Sequence, residues 1–351
     1  MSLKDTSVTR ADRWAHAALD LSVENGLAAL STRTLAGVTG GSPSAITYYF
    51  GNRDLLVSQV CSKAIQKSDD CREAGREQWA NLPGWSDLAS AFIAALQSRL
   101  EGERHLLTLM RELEQDARCN ERQEMSAAIA EEVNAEARYW QDLAVSYGAT
   151  ADESDLWADL ALGLTSLLLS EESAARRSPW ISLASYRLQD RLARRPIRFV
   201  EDRSVSATEL ALQPLANETA LKILEAALTE IAEKGAEKLS QRDVAIKAGI
   251  SLSSVTYFFG SKQELIAAAF EELYRQHCAI ITNSDLIGDN PAELVTALSG
   301  VINLHGLAAF EALLRAAVRL PDLNPTANRV RHTRGVGGRV PRGSLIATVN
   351  S

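Results

Sequence analysis

Apolar positions recur along this chain at helical spacing, and two passages repeat the same pattern. In the first, Trp14, Ala17, Ala18 and Leu21 share one face of a helix predicted from about Arg10 to Glu24, with Thr9 as its N-cap and Asp12 in its first turn. Asn25-Gly26 predicts the stop, because glycine takes the left-handed conformation without strain. A short second helix follows Ser31 and carries Leu35, Ala36 and Val38. Gly40-Gly41 predicts a tight turn, and Ser42-Pro43 opens a short third helix as N-cap and N1 proline. Gly51-Asn52 breaks the chain again before a long fourth helix that starts at Arg53.

The second passage begins near Asn217. Leu221, Leu224, Ala227, Leu228 and Ile231 form its first apolar face, and Gly235 is the stop. Ser240 with Asp243, and Ser261 with Glu264, read as capping boxes. The two passages align without a gap: GLAALSTRTLAGVTGGSPSAITYYFG over 26–51 answers to GAEKLSQRDVAIKAGISLSSVTYFFG over 235–260. A repeat of this kind sets the architecture before any local detail does.

Between the passages the pattern stays helical, with segments predicted over 53–78, 86–101, 103–116, 121–147, 152–176 and 182–194. Breaks are expected at Pro83-Gly84, Gly148 and Pro179. A long helix over about 262–282 and two more near 291–304 and 307–319 complete the second half. The fold class is therefore all-α. Aromatics make up only 6% of the residues against 46% hydrophobic, which requires a core of aliphatic side chains, as packed helices supply. Strand and hairpin signals are nearly absent.

Charge and cysteine usage narrow the classes. A net charge of −8 argues against a large nonspecific polyphosphate binder, though local charge decides nucleic-acid binding. The four cysteines form no CxxC pair, so neither a zinc site nor a disulfide framework is indicated. No nucleophile–base arrangement, phosphate-cradling loop or metal-ligand spacing is present, so no catalytic residue, metal or cofactor is expected, and the chain is read as a non-enzyme. No apolar run reaches membrane-spanning length and no signal-peptide pattern opens the chain, which predicts a cytoplasmic protein.

On the third helix Ile46, Tyr49 and Phe50 are expected to face inward, leaving Pro43, Ser44, Thr47 and Tyr48 outside. The second copy predicts Val255, Phe258 and Phe259 inside, with Leu252, Ser253, Thr256 and Tyr257 outside. An aromatic on the exposed face of so short a helix needs a reason. A helix of small residues, a tight turn and a stiff second helix form a helix-turn-helix, whose second helix enters the major groove.

The strings Leu30-Ser-x-Arg-x-Leu-Ala, Gly40-Gly-Ser and Ile46-Thr-Tyr-Tyr-Phe-Gly-Asn-Arg-Asp-Leu-Leu56 resemble the DNA-binding domain of tetracycline-repressor (TetR) family regulators. Leu239-Ser-x-Arg-x-Val-Ala, Ala248-Gly-Ile-Ser and Val255-Thr-Tyr-Phe-Phe-Gly-Ser-Lys-Gln-Glu-Leu265 resemble it more closely still. The resemblance covers about the first 60 residues of each unit. It implies two tandem TetR-like units, each a three-helix helix-turn-helix domain followed by a helical bundle. The expected boundaries are 1–52 and 53–195 for the first unit, 196–216 for a linker, and 217–261 and 262–320 for the second unit. Its bundle is read as shortened, with no counterpart of 143–205, and 321–351 as a disordered tail without helical period.

Carried over position by position, the resemblance implies groove contacts from Pro43, Ser44, Thr47 and Tyr48, and from Leu252, Ser253, Thr256 and Tyr257. Arg53 and Lys262 match the family's basic phosphate contact. Thr32 or Arg33, and Gln241 or Arg242, stand where the second helix meets the DNA backbone. The family often carries lysine where Pro43, Leu252, Gly51 and Gly260 stand, so nonspecific affinity and its salt dependence should be low. The resemblance further implies an operator in double-stranded DNA, a small-molecule effector, and a homodimer through 152–194. There Asp155, Trp157, Leu160, Leu164, Leu167 and Leu168 make a stripe suited to a four-helix interface. Trp85, Phe92, His105, Met110, Tyr139 and Trp140 are the candidates for an effector pocket. The function expected is a ligand-responsive transcriptional repressor. The alternative is an adaptor or antirepressor that acts through protein–protein contacts and leaves DNA alone.

Overall fold

The computed structural model describes residues 10–81, 87–195, 217–282 and 304–336, and every regular element among them is a helix. The chain divides at residue 198 into two units. The expected linker over 196–216, most of the helix expected near 291–304, and the chain beyond 336 lie outside the described residues.

The first unit opens with α1 (Arg10–Asn25), α2 (Thr32–Thr39) and α3 (Pro43–Phe50), with a 3-10 turn at Leu27–Ala29. A bundle follows: α4 (Arg53–Ala80), α5 (Leu88–Gly102), α6 (Arg104–Cys119), α7 (Gln123–Ser146), α8 (Ala151–Leu168) and α9 (Ala174–Leu192). One apolar core joins the two parts. Trp14, Ala18, Leu19, Leu35, Ile46 and Phe50 pack with Val57 and Val60 of α4 and with Leu109 and Leu113 of α6. The buried face of α1 runs through Trp14, Ala15, Ala18, Leu19 and Ser22, with Ala17 and Leu21 at its edge. A buried polar tie reinforces the junction: the Leu27 N–H donates to Glu112 Oε2 on α6 at 2.6 Å.

Two helix ends depart from expectation. The break after α8 falls at Leu169–Ser173, and α9 runs through Pro179. Pro179 lies in the second turn of α9, where its missing N–H removes a single intrahelical bond. Around the actual break the Arg177 Nη1 donates to the carbonyls of Glu171 and Glu172 at 2.7 and 2.8 Å, fixing the corner. The stripe expected on α8 is also divided. Trp157, Leu164 and Leu168 are buried in the unit's own core, Leu160 and Leu167 are half-buried, and Asp155 is exposed.

Deeper in the bundle a charged group is taken out of water. Arg72 on α4 is 1% exposed and pairs with Asp69, Glu132 and Glu136. Its Nη2 donates to Glu132 Oε2 at 2.8 Å and its Nη1 to Ser68 Oγ at 3.0 Å. A buried guanidinium persists only when its donors are taken up in this way.

The second unit consists of α10 (Glu218–Lys234), α11 (Gln241–Ala248), α12 (Leu252–Phe258), α13 (Lys262–Thr282), α14 (Leu304–Arg319) and α15 (Asn324–Val336), with a 3-10 turn at Ala236–Lys238. Ile223, Leu224, Ala227, Leu228 and Ile231 supply its first buried face. The last helix overturns part of the expected disorder over 321–351. Leu323, Ala327 and Arg331 are buried, one turn apart, and Glu271 of α13 binds Thr326 and Arg329. The period is faint in the sequence because two of its three members, Ala327 and Arg331, are an alanine and an arginine.

Ile46 is fully buried whereas Tyr48, two residues on, is 85% exposed. Ile46→Ala is expected to destabilise the first unit by about 2–5 kcal/mol. Tyr48→Ala should change it by no more than about 0.5 kcal/mol. Amide hydrogen exchange of α1–α3 in the intact protein measures both.

Candidate nucleic-acid interface

Local chemistry places α2 and α3 at a fixed angle. The Ser31 side chain caps α2 by accepting from the Thr34 N–H at 3.0 Å. Gly40 ends it in the left-handed region, at φ 66°, a conformation that side chains rarely adopt. Ser42 caps α3 by accepting from the Ala45 N–H at 3.2 Å, and Pro43 takes the first helical position. The second unit repeats the serine caps and the glycine stop, with Leu252 where α3 has Pro43. Ser240 accepts from the Asp243 N–H at 3.1 Å, Gly249 has φ 68°, and Ser251 accepts from the Ser254 N–H at 3.1 Å. Helices α11 and α12 stand at the positions of α2 and α3 under the alignment of the two passages.

With α3 held this way, Ile46 and Phe50 are buried and Pro43, Ser44, Thr47 and Tyr48 are exposed. In α12 and its end Val255 and Phe259 are buried, and Leu252, Ser253, Thr256 and Tyr257 are exposed. The inward assignment of Tyr49 is incorrect. That ring is 49% exposed and rests edge-on against Trp14, centroids 5.3 Å apart. Phe258 is half-buried. The seam under each short helix is therefore two residues wide, one turn apart, with the intervening aromatic at its margin.

The exposed hydroxyls are oriented. Thr47 Oγ1 donates to the Pro43 carbonyl and Thr256 Oγ1 to the Leu252 carbonyl, each at 2.9 Å. Each threonine thus spends its proton on its own helix and presents acceptor lone pairs and a methyl outward. Adenine and cytosine amino groups are major-groove donors, and thymine offers a methyl, so these threonines match that chemistry. Ser42 with Ser44, at 3.0 Å, and Ser251 with Ser253, at 2.8 Å, share further hydroxyl bonds.

The basic positions are less free than their sequence implies. Arg53 is exposed and its Nη2 donates to the Leu27 carbonyl at 3.3 Å. Lys262 is half-buried and its Nζ donates to the Glu237 carbonyl at 2.6 Å. Burial pushes the Lys262 ammonium below the usual lysine range, with Glu237 working against it. Arg33 and Arg242 are exposed and Thr32 is half-buried. Gln241 is engaged otherwise: its Nε2 donates to the Phe259 carbonyl at 2.7 Å, clamping the start of α11 to the end of α12.

One contributor escaped the sequence reading. Arg122, at the mouth of α7, donates from Nη2 to Asp54 Oδ1 at 2.6 Å and from Nη1 to the Asp54 carbonyl at 3.0 Å. Its Nε also lies 3.2 Å from Asp116 Oδ2, so Arg122 is shared between that buried acid and Asp54, the acid next to Arg53. Arg122 and Asp54 stand 68 residues apart, so nothing local announces the pair.

The expected effector residues do not converge. Phe92 and Trp140 are fully buried and pack with Trp157, Phe92 standing 5.2 and 4.9 Å from the two indoles. They are core, and His105 is exposed. Met110 borders a small depression of about 60 Å³ beside α7 and α8. Tyr139 alone of the six lines the larger cavity, about 260 Å³, between α4, α5 and α7. Trp85 lies outside the described residues.

Against known proteins, residues 223–269 match the family model of the bacterial regulatory proteins, tetR family. The matched span runs from α10 through α11 and α12 into α13, the helix-turn-helix of the second unit. The match is confined to that helix-turn-helix and does not reach the first unit. No curated protein matches the chain. Among the described residues no helix is long and apolar enough to cross a membrane.

Gln241→Glu removes the donor to the Phe259 carbonyl while keeping the side chain's size. The variant is expected to lose about 1–3 kcal/mol of local stability, read as faster amide exchange in α12.

Proposed function

We propose that the protein is a ligand-responsive transcriptional repressor built from a duplicated TetR-like unit, and that both short helices, α3 and α12, read the major groove. The observation that carries this reading is the pair of solvent-facing tyrosines, Tyr48 at 85% and Tyr257 at 84% exposure. Each stands on a helix whose other side is buried in a helix-turn-helix core. An aromatic kept in water on a rigid helix, beside oriented threonines, suits a phosphate and base-edge partner.

In this reading Ser44, Thr47, Ser253 and Thr256 face base edges, with Pro43 and Leu252 in apolar contact at the start of each helix. Tyr48, Tyr257, Arg53 and Lys262 meet phosphates, and Thr32, Arg33, Gln241 and Arg242 flank them. Affinity rests on hydrogen bonds and shape more than on net charge, so the salt dependence is shallow.

The protein acts as a homodimer through α8 and α9 of the first unit. Leu156, Leu160, Gly163 and Leu167 lie along one side of α8, and Leu156 is 46% exposed. Nothing stands within 4 Å of where a side chain at Gly163 would begin, which leaves room for a partner helix to approach closely. Dimerisation spaces two reading helices about 34–36 Å apart, one turn of DNA. An effector in the cavity between α4, α5 and α7 favours a conformer with the wrong spacing. The 28-residue α4 links the two ends, since it carries Arg53 at one end and the cavity wall at the other.

Gel shift of the intact protein on its own promoter DNA tests the reading. Tyr48→Ala and Tyr257→Ala are each expected to weaken binding by about 1–3 kcal/mol. Binding that neither substitution alters, or no binding at low salt, favours the adaptor reading. Because Ser, Thr and Tyr recur at three of the four outward positions, selection with α3-disabled and α12-disabled variants should return related half-sites. Light scattering should report a dimer that Leu160→Lys converts to a monomer.

A further inference from the structure

The two helix-turn-helix units are alike on their outward rows and unlike beside them. The alignment of the two passages continues upstream without a gap, Ala17-Ala18-Leu19 answering to Ala226-Ala227-Leu228. It sets Trp14 against Ile223, Gly41 against Ile250 and Tyr49 against Phe258. The first two differences form one exchange. A side chain begun at Gly41 would stand 3.1 Å from the Trp14 ring, so the large indole depends on the glycine. The second unit divides the volume between two isoleucines, Ile223 buried and Ile250 half-buried.

The indole also links α1 to α3. Tyr49 rests edge-on against it at 5.3 Å, and Tyr48 rests edge-on against Tyr49 at 5.5 Å. The Arg10 guanidinium lies over the Trp14 ring, 5.9 Å from its centre. A cation and three rings thus run in contact from the first turn of α1 to the outward tyrosine of α3. Stacking orients a guanidinium while leaving its N–H donors to an anion. Arg10 is exposed and Tyr49 is 49% exposed, so both can meet a partner.

The second unit lacks this arrangement. Tyr257 still stands edge-on to Phe258, but position 223 has no ring and position 219 is a threonine. Lys222, which answers to Arg13, is paired with Glu218 at 3.1 Å. In α1, by contrast, Arg10 and Arg13 outnumber the single acid of the first turn, Asp12.

We propose that Arg10, seated on Trp14, and the Tyr49 hydroxyl bind DNA backbone phosphates beside α3, and that the second unit has no such anchor. A phosphate, an anion with several acceptor oxygens, is the partner that a held guanidinium and a phenol fit together. The first unit then supplies the larger share of the salt dependence of binding. The proposal rests on the reading that α3 faces DNA.

Fluorescence anisotropy of the intact protein on a fragment of its own promoter, across a salt series, tests it. Arg10→Gln is expected to lower the slope of log affinity against log salt by about 1. Lys222→Gln, in the second unit, should leave that slope unchanged. Tyr49→Phe removes a neutral donor, so it should weaken binding at least about threefold without changing the slope. Trp14→Ile combined with Gly41→Ile copies the packing of the second unit and keeps every charge. That variant should melt within about 4 °C of wild type and still bind at least about threefold more weakly. A wild-type slope in Arg10→Gln overturns the anchor, as does an equal loss in Lys222→Gln. Wild-type affinity in Tyr49→Phe or in the Trp14→Ile, Gly41→Ile protein also overturns it. Where Tyr48→Ala weakens binding and these variants do not, the anchor falls and the reading of α3 stands. No binding by the wild-type protein at low salt overturns both.

Discussion

A helix of two turns can bury only one narrow seam, and that limit governs the rest of the structure. In α3 the seam is Ile46 and Phe50, and in α12 and its end it is Val255 and Phe259. Packing these pairs against α1 and α2, or α10 and α11, fixes the rotation of each helix about its axis. Everything on the far side is then committed to solvent, whatever its polarity. Tyr48 and Tyr257 are exposed for that reason, and Thr47 and Thr256 point the same way beside them. Losing the seam would free the rotation and scatter the outward row.

Electrostatics around this row are muted by design of the same local kind. Arg53 and Lys262 both donate to carbonyls of the 3-10 turn that precedes α2 or α11. They hold that turn while standing at the start of the long helix. Arg122 pairs with Asp54, the acid beside Arg53, as well as with Asp116. In the second unit Lys247, on the exposed side of α11, is paired with Glu230 and Glu233 on α10. Arg33 and Arg242 remain exposed at the start of α2 and α11. Recognition then depends on geometry, and geometry depends on the buried seam and the caps that precede it.

Legibility followed the range of the interactions. The ends of α2, α3, α11 and α12 were readable because serine caps and glycine stops act within four residues. The outward rows were readable because a two-turn helix has few alternatives. Tyr49 was misassigned because helical spacing alone cannot tell the centre of a seam from its margin, and Trp14 supplies a lateral shelf. Pro179 was overweighted as a breaker, since one lost bond near a helix start is tolerated when Arg177 holds the corner. The C-terminal helix was missed because Glu271, far back in sequence, binds it. Phe92 and Trp140 fill their own space with Trp157, and the open cavity is lined by the small residues Ala74, Gly75 and Ala95 together with Trp79, Arg99 and Tyr139.

The junction between core and surface is fixed at a single turn. Leu27 is held twice, its N–H by Glu112 of α6 and its carbonyl by Arg53 of α4. Both helices take part in the helix-turn-helix core, so the turn is tied to each of them. The most direct measurement of the central claim is solvent accessibility of the two tyrosines by hydroxyl-radical labelling, with and without promoter DNA. The account predicts that Tyr48 and Tyr257 label readily in the free protein and are shielded together in the complex. Tyrosines that stay equally reactive in a demonstrated complex, or that resist labelling in the free protein, would contradict it.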